Sequence, residues 1–232
     1  MRLLRAYHWL QNDFLKSVGP KLVPFFKSVS VYFVLLAEQP SLLTACIKCL
    51  PIISLIFFVL LHGMNLSEEY TFSRRILAGL VFSCIGDALI LWPSLFIAGM
   101  GMFALAQIMY ITAFGFVPLN ATLGASLYAV CIIYTLMPGL NGVLVIGVPV
   151  YTALLATMTW RAVSRVHFLN EFWNGIGSVS FAISDTLLGF HHFYSPLPYA
   201  TVTIMLTYYA AQLGIALSTV DSREKNKSLA KR

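Results

Sequence analysis

The chain reads as an all-α integral membrane protein: a bundle of eight transmembrane helices, with N- and C-termini cytoplasmic and a polar pocket between helices. Three features of its 232 residues point there. Hydrophobic residues make up 59% and charged residues only 10%, and the mean hydropathy is +0.81, far more apolar than one soluble core requires. Eight stretches of about 20 mostly apolar residues, the length that crosses a hydrocarbon core as helix, lie between short polar breaks. The basic residues, finally, fall on one side of those stretches.

Residues 1–20 form a short cytoplasmic arm carrying Arg2, Arg5, Asp13 and Lys16, without the apolar core and small-residue cleavage site of a signal peptide. The membrane domain spans 21–219. Its first span, near 21–38, holds Lys27, placed to snorkel toward the inner headgroups. The second, 42–62, holds Lys48 and Pro51, and the third, 74–92, opens on Arg74 and Arg75, contains Asp87 and closes on Trp92. Spans at 95–114 and 119–137 follow, the former with Gln107 and Tyr110. The sixth, 142–162, holds Pro149, which invites a kink that opens space, and ends on Trp160 and Arg161. The seventh, 172–190, starts with the interfacial aromatics Phe172 and Trp173 and holds Asp185. The eighth, 198–219, starts at Tyr199 and holds Tyr208, Tyr209 and Gln212. A basic cytoplasmic tail, 220–232, reads as disordered.

With the N-terminus inside, all of the 15 basic residues except Lys27 and Lys48 sit in inner segments, and the outer connections near 39–41, 93–94, 138–141 and 191–197 have none. The net charge of +6 therefore reports orientation and attraction to anionic membrane lipids. No nucleic-acid partner is expected, because the charges are scattered over separate loops. The sequons at Asn65, Asn120 and Asn226 fall inside and should stay unmodified.

Asp87 lies about 18 Å along its helix from Arg75, Asp185 about 21 Å from Glu171, and Lys48 about 10 Å in from the other side. All three therefore share one depth in a core about 30 Å thick. Charges there cost about 2.5–3.5 kcal/mol each and need partners or a wet cavity. Small residues flank both aspartates: Gly79, Ser83 and Gly86 in one span, Gly177, Ser178, Ser184 and Gly189 in the other, so neighbouring helices can approach closely. Ile85-Gly-Asp-Ala-Leu echoes Ile183-Ser-Asp-Thr-Leu, each followed one helix later by Gln and Tyr, as a four-plus-four duplication would leave them.

Cys46-Ile-Lys-Cys49 has no second pair and sits on an apolar helix, so neither zinc nor redox chemistry is expected there. His191 and His192 read as interfacial. No metal or other cofactor is expected, and the serine-hydrolase, zinc-protease and nucleotide-binding motifs do not occur. The residues alone leave a pocket used for catalysis, or an ion-coupled secondary transporter or lipid carrier using the same Asp and Lys groups.

The segments GPKLVPFFKSVSVYFVL (19–35), IKCLP (47–51), GLVFSCIGDALILW (79–92), MFALAQIMYITAFGF (102–116), AISDTLL (182–188) and TIMLTYYAAQLGIALS (203–218) together resemble the YhhN-like lysoplasmalogenases, the animal members in particular. The resemblance implies an eight-helix hydrolase in the endoplasmic reticulum membrane. Its substrate would be a lysophospholipid with a vinyl ether chain, cleaved by water to a fatty aldehyde and glycerophospho-ethanolamine or -choline. The family's two motif aspartates match Asp87 and Asp185, and its Lys-x-x-Pro element matches Lys48 and Pro51. Gln107 stands where members often carry His, which leaves this position a hydrogen-bonding amide rather than a proton carrier.

Such a reaction suits two carboxyls. Protonating the carbon β to the ether oxygen makes an oxocarbenium ion, water adds, and the hemiacetal falls apart. One carboxyl must arrive protonated and the other ionised, as in glycosidase pairs; acid–base catalysis of this kind is worth roughly 100- to 10,000-fold. Asp87 and Asp185 are therefore the expected catalytic residues, the lysine-paired one being ionised. Lys48, Lys27, Gln107, Tyr110, Tyr208, Tyr209, Gln212, Ser83 and Ser184 are the expected pocket and charge partners, with Lys27 or Lys48 the candidate contact for the phosphate.

Overall fold

The computed structural model describes residues 15–36, 39–62, 67–117, 120–135, 140–166 and 172–230. They form eight α-helices and two short 3-10 turns, with no strand among the described residues. The helices are α1 (Leu15–Leu35), α2 (Leu42–Leu61), α3 (Thr71–Leu89), α4 (Phe96–Phe114), α5 (Ala121–Thr135), α6 (Leu144–Ser164), α7 (Phe172–Phe193) and α8 (Ala200–Ala230).

Two ends differ from expectation. α1 starts at Leu15, within the expected arm, because the buried stripe Val18, Leu22, Phe25, Ser28 and Tyr32 begins ahead of the continuous apolar run. α8 continues to Ala230 through the segment read as disordered. That stretch, DSREKNKSLA, has neither Gly nor Pro, so a helix already nucleated by packing extends through it at little cost. Arg2, Arg5 and Asn65 lie outside the described residues.

Among the described residues, five helical segments are long and apolar enough to cross a membrane: Val18–Leu35, Leu42–Leu61, Pro93–Phe114, Leu144–Ser164 and Ala200–Val220. α5 has 15 residues. α3 and α7, which carry the two aspartates, are diluted by inward-facing polar and small residues: Ser73, Gly79, Ser83 and Gly86 on α3, Asn174, Gly177, Ser178 and Ser184 on α7. Their low apolarity is thus a property of the faces they turn to the other helices.

α2, α3, α4, α6, α7 and α8 pack as successive neighbours around a ring, with α8 closing onto both α2 and α3. α1 lies outside against α2, and α5 outside against α6. Large buried side chains such as Phe58, Tyr110, Phe114, Phe181 and Tyr209 fill the interior. The seam between α7 and α8 depends on close backbone approach: a Cβ on Gly177 would stand 2.7 Å from the Ile215 amide nitrogen and 3.0 Å from the Ala211 carbonyl. Gly177→Leu is therefore expected to cost roughly 3 kcal/mol through overpacking, read as a lowered Tm in detergent. Gly189→Ala, which has open space around it, should leave Tm unchanged or slightly higher.

Candidate active site

α3 presents Ile76, Gly79, Leu80, Ser83, Gly86 and Asp87 to the interior, the three-and-four spacing of one helix face. Asp87 is 1% exposed. Its Oδ1 lies 3.5 Å from Nζ of Lys48 on α2, and its Oδ2 accepts a 2.5 Å hydrogen bond from the Tyr208 hydroxyl on α8. The next residue, Tyr209, donates to the Lys48 carbonyl at 2.9 Å. Pro51 on α2 cannot donate to the Ile47 carbonyl, and this interruption of the ladder lies one residue from the carbonyl that Tyr209 reaches.

Asp185, on α7, has neutral partners. The Tyr151 hydroxyl on α6 donates to its Oδ2 at 2.5 Å, and Gln107 Nε2 on α4 reaches the same oxygen at 3.4 Å. No basic side chain pairs with it among the described residues, and Oδ1 is left for other work. The two carboxyls meet at the same space. Both line one cavity of about 790 Å³, into which Lys48, Ser184, Tyr208 and His191 also face.

Behind the cavity wall, Tyr110 donates to Gln212 Oε1 at 3.0 Å and contacts the Ser83 hydroxyl at 3.4 Å. Gln107 Oε1 and Gln212 Nε2 are buried with no hydrogen-bond partner among the described residues. Ser184 donates to the Ile204 carbonyl at 2.9 Å, tying α7 to α8. Every expected pocket residue is therefore at or just behind the cavity except Lys27, which is exposed on α1 and does not line it. One of the residues that follow each aspartate in the sequence serves the other one, Tyr208 bonding Asp87 and Gln107 bonding Asp185, while Tyr110 and Gln212 bond each other.

Tyr151 is the residue the sequence reading misses. It carries no motif, but it precedes Arg161 by about 15 Å of helix, a depth similar to that of the aspartates. Cys49 donates to the Cys84 carbonyl, Cys46 is exposed, and no group of three or more His, Cys, Asp or Glu among the described residues could hold a metal ion. Among the described residues, the non-glycine positions with positive φ, Leu36 (20°) and Tyr199 (54°), both line the cavity, the kind of backbone strain that gathers at functional sites.

A paired carboxylate and a carboxyl held only by neutral donors, lining one half-open cavity, can remove and deliver protons to a single molecule. The YhhN family profile matches residues 43–219. The chain is 43% identical over 223 residues to the lysoplasmalogenase TMEM86A of Bos taurus, covering 90% of this chain and 92% of that protein. It is 42% identical over 224 residues to lysoplasmalogenase TMEM86A of Homo sapiens, covering 90% and 92%. To lysoplasmalogenase TMEM86B of Sus scrofa it is 38% identical over 213 residues, 88% of each chain. No solved structure matches the chain.

Proposed function

We propose that this chain, which belongs to the YhhN family, is a lysoplasmalogenase, an integral membrane hydrolase that uses water to cleave the vinyl ether bond of lysoplasmalogens. The observation that carries this reading is the unequal partnering of two carboxyls on one cavity. Asp87 has a lysine and stays ionised. Asp185 has a phenol and an amide, both on Oδ2, so its Oδ1 carries the proton.

Oδ1–H of Asp185 gives that proton to the carbon β to the ether oxygen, the π pair forms the new C–H bond, and the adjacent carbon becomes an oxocarbenium centre. Asp87 takes a proton from the attacking water as the C–O bond of the hemiacetal forms. Asp185 then removes the hemiacetal hydroxyl proton while Asp87 returns its own to the departing glycerol oxygen. Fatty aldehyde and glycerophospho-alcohol leave with both carboxyls reset. Lys48 favours the ionised form of Asp87 at the start and end of the cycle.

The reading includes eight spans with both termini cytoplasmic, an arm at 1–20, a membrane domain at 21–219 and a tail at 220–232, in the endoplasmic reticulum membrane. The distribution of basic residues supports this orientation. Purified protein given a lysoplasmalogen should release free aldehyde and glycerophospho-alcohol in equal amounts; a carrier would move solute across vesicles and consume none. Tyr151→Phe should lower kcat about tenfold by releasing Asp185 from its strongest hydrogen bond, with Tm shifted by no more than a few degrees.

A further inference from the structure

We propose that His191 forms the subsite for the phosphate of the substrate headgroup, a contact that rests on the hydrolase reading above and gives it direction along the cavity. The cavity that Asp87 and Asp185 line is also lined by the half-buried His191 and by the exposed His192 and Tyr199. Asp185 and His191 sit on the same helix, six residues apart in the sequence, about 9 Å of helical rise. In an extended lysoplasmalogen, roughly seven bonds, or about 9 Å, separate the vinyl carbon that takes the proton from the phosphorus. A substrate with its double bond at the aspartates thus brings its phosphate level with His191.

The chemistry of the ring fits. The Leu197 backbone N–H donates to His191 Nδ1 at 2.9 Å. A backbone amide only donates, so Nδ1 carries no proton and the ring hydrogen is on Nε2. Nε2–H is a fixed donor on a cavity-lining side chain, with no partner among the described residues. The alternatives are committed elsewhere: Lys48 pairs with Asp87, Lys27 does not line the cavity, and His192 lies flat on Phe96, ring centroids 4.4 Å apart at 9°.

Two amides separate this role from a merely structural one. His191→Asn keeps an acceptor for the Leu197 N–H but has nothing at the position of Nε2, whereas His191→Gln reaches that position with an N–H. The probes are a saturated-ether lysophosphatidylethanolamine analogue and the matching alkylglycerol for binding, with the corresponding vinyl ethers for turnover. Expected for His191→Asn is about tenfold weaker binding of the phospholipid analogue and a similar rise in KM. The alkylglycerol should bind within twofold of wild type, and His191→Gln should regain most of the loss. Wild-type binding of the phospholipid analogue by His191→Asn, equal losses with both analogues, or failure of Gln to outperform Asn would each overturn the assignment. Absence of aldehyde from the wild-type protein would overturn the hydrolase reading instead, while the binding series still decides the phosphate contact.

Discussion

Asp185→Asn should abolish aldehyde release, with kcat falling about 1,000-fold, in a protein that still folds and still binds the saturated-ether analogue. Asparagine keeps the shape of the side chain and a carbonyl oxygen that can accept from Tyr151 and Gln107, so the local packing survives. What it lacks is an acidic proton to give to carbon. A variant with more than a tenth of wild-type kcat would remove Asp185 from the chemistry while leaving membership of the family untouched. Single-turnover measurement of aldehyde, together with binding of the analogue, separates a chemical defect from a binding one.

Lys48→Met should be the more damaging change for stability. It leaves the Asp87 carboxylate, 1% exposed, without its counter-charge, a loss of about 3–5 kcal/mol for a buried pair broken on one side. Combining it with Asp87→Asn removes both charges, and the double variant should recover most of the lost Tm while remaining inactive. Losses that simply add in the double variant would show that the lysine and aspartate are not coupled. Recovery of activity along with stability would show that Asp87 is not needed for turnover.

The sequence reveals the ionisable part of this site because charge in an apolar helix is expensive. Asp87, Asp185 and Lys48 stand out by cost, and helical rise alone puts them at one depth. It is less informative about their neutral partners. Tyr151 looks like any aromatic in a span, and only its depth distinguishes it. Nor does the order of residues tell which helix serves which carboxyl: Gln107 follows Asp87 by one helix yet bonds Asp185, since helices that are neighbours in the chain contribute side chains to both sides of the ring. The peripheral places of α1 and α5 were likewise hidden, because a helix against lipid and a helix against protein are equally greasy. α1 and α8 run past the apolar spans for a different reason: hydropathy marks where a chain would cross lipid, whereas helices stop where capping and packing stop.

Tyr208 and Tyr209 are consecutive on α8, about 100° apart around its axis, and they hold two different helices, Tyr208 through the Asp87 carboxylate on α3 and Tyr209 through the Lys48 carbonyl on α2. Because Lys48 and Asp87 also hold each other, one dipeptide sets both the architecture of this corner and the orientation of a reacting group. Evolution or engineering therefore has little freedom to tune the two apart: a swivel of α8 that re-aims one phenol withdraws the other.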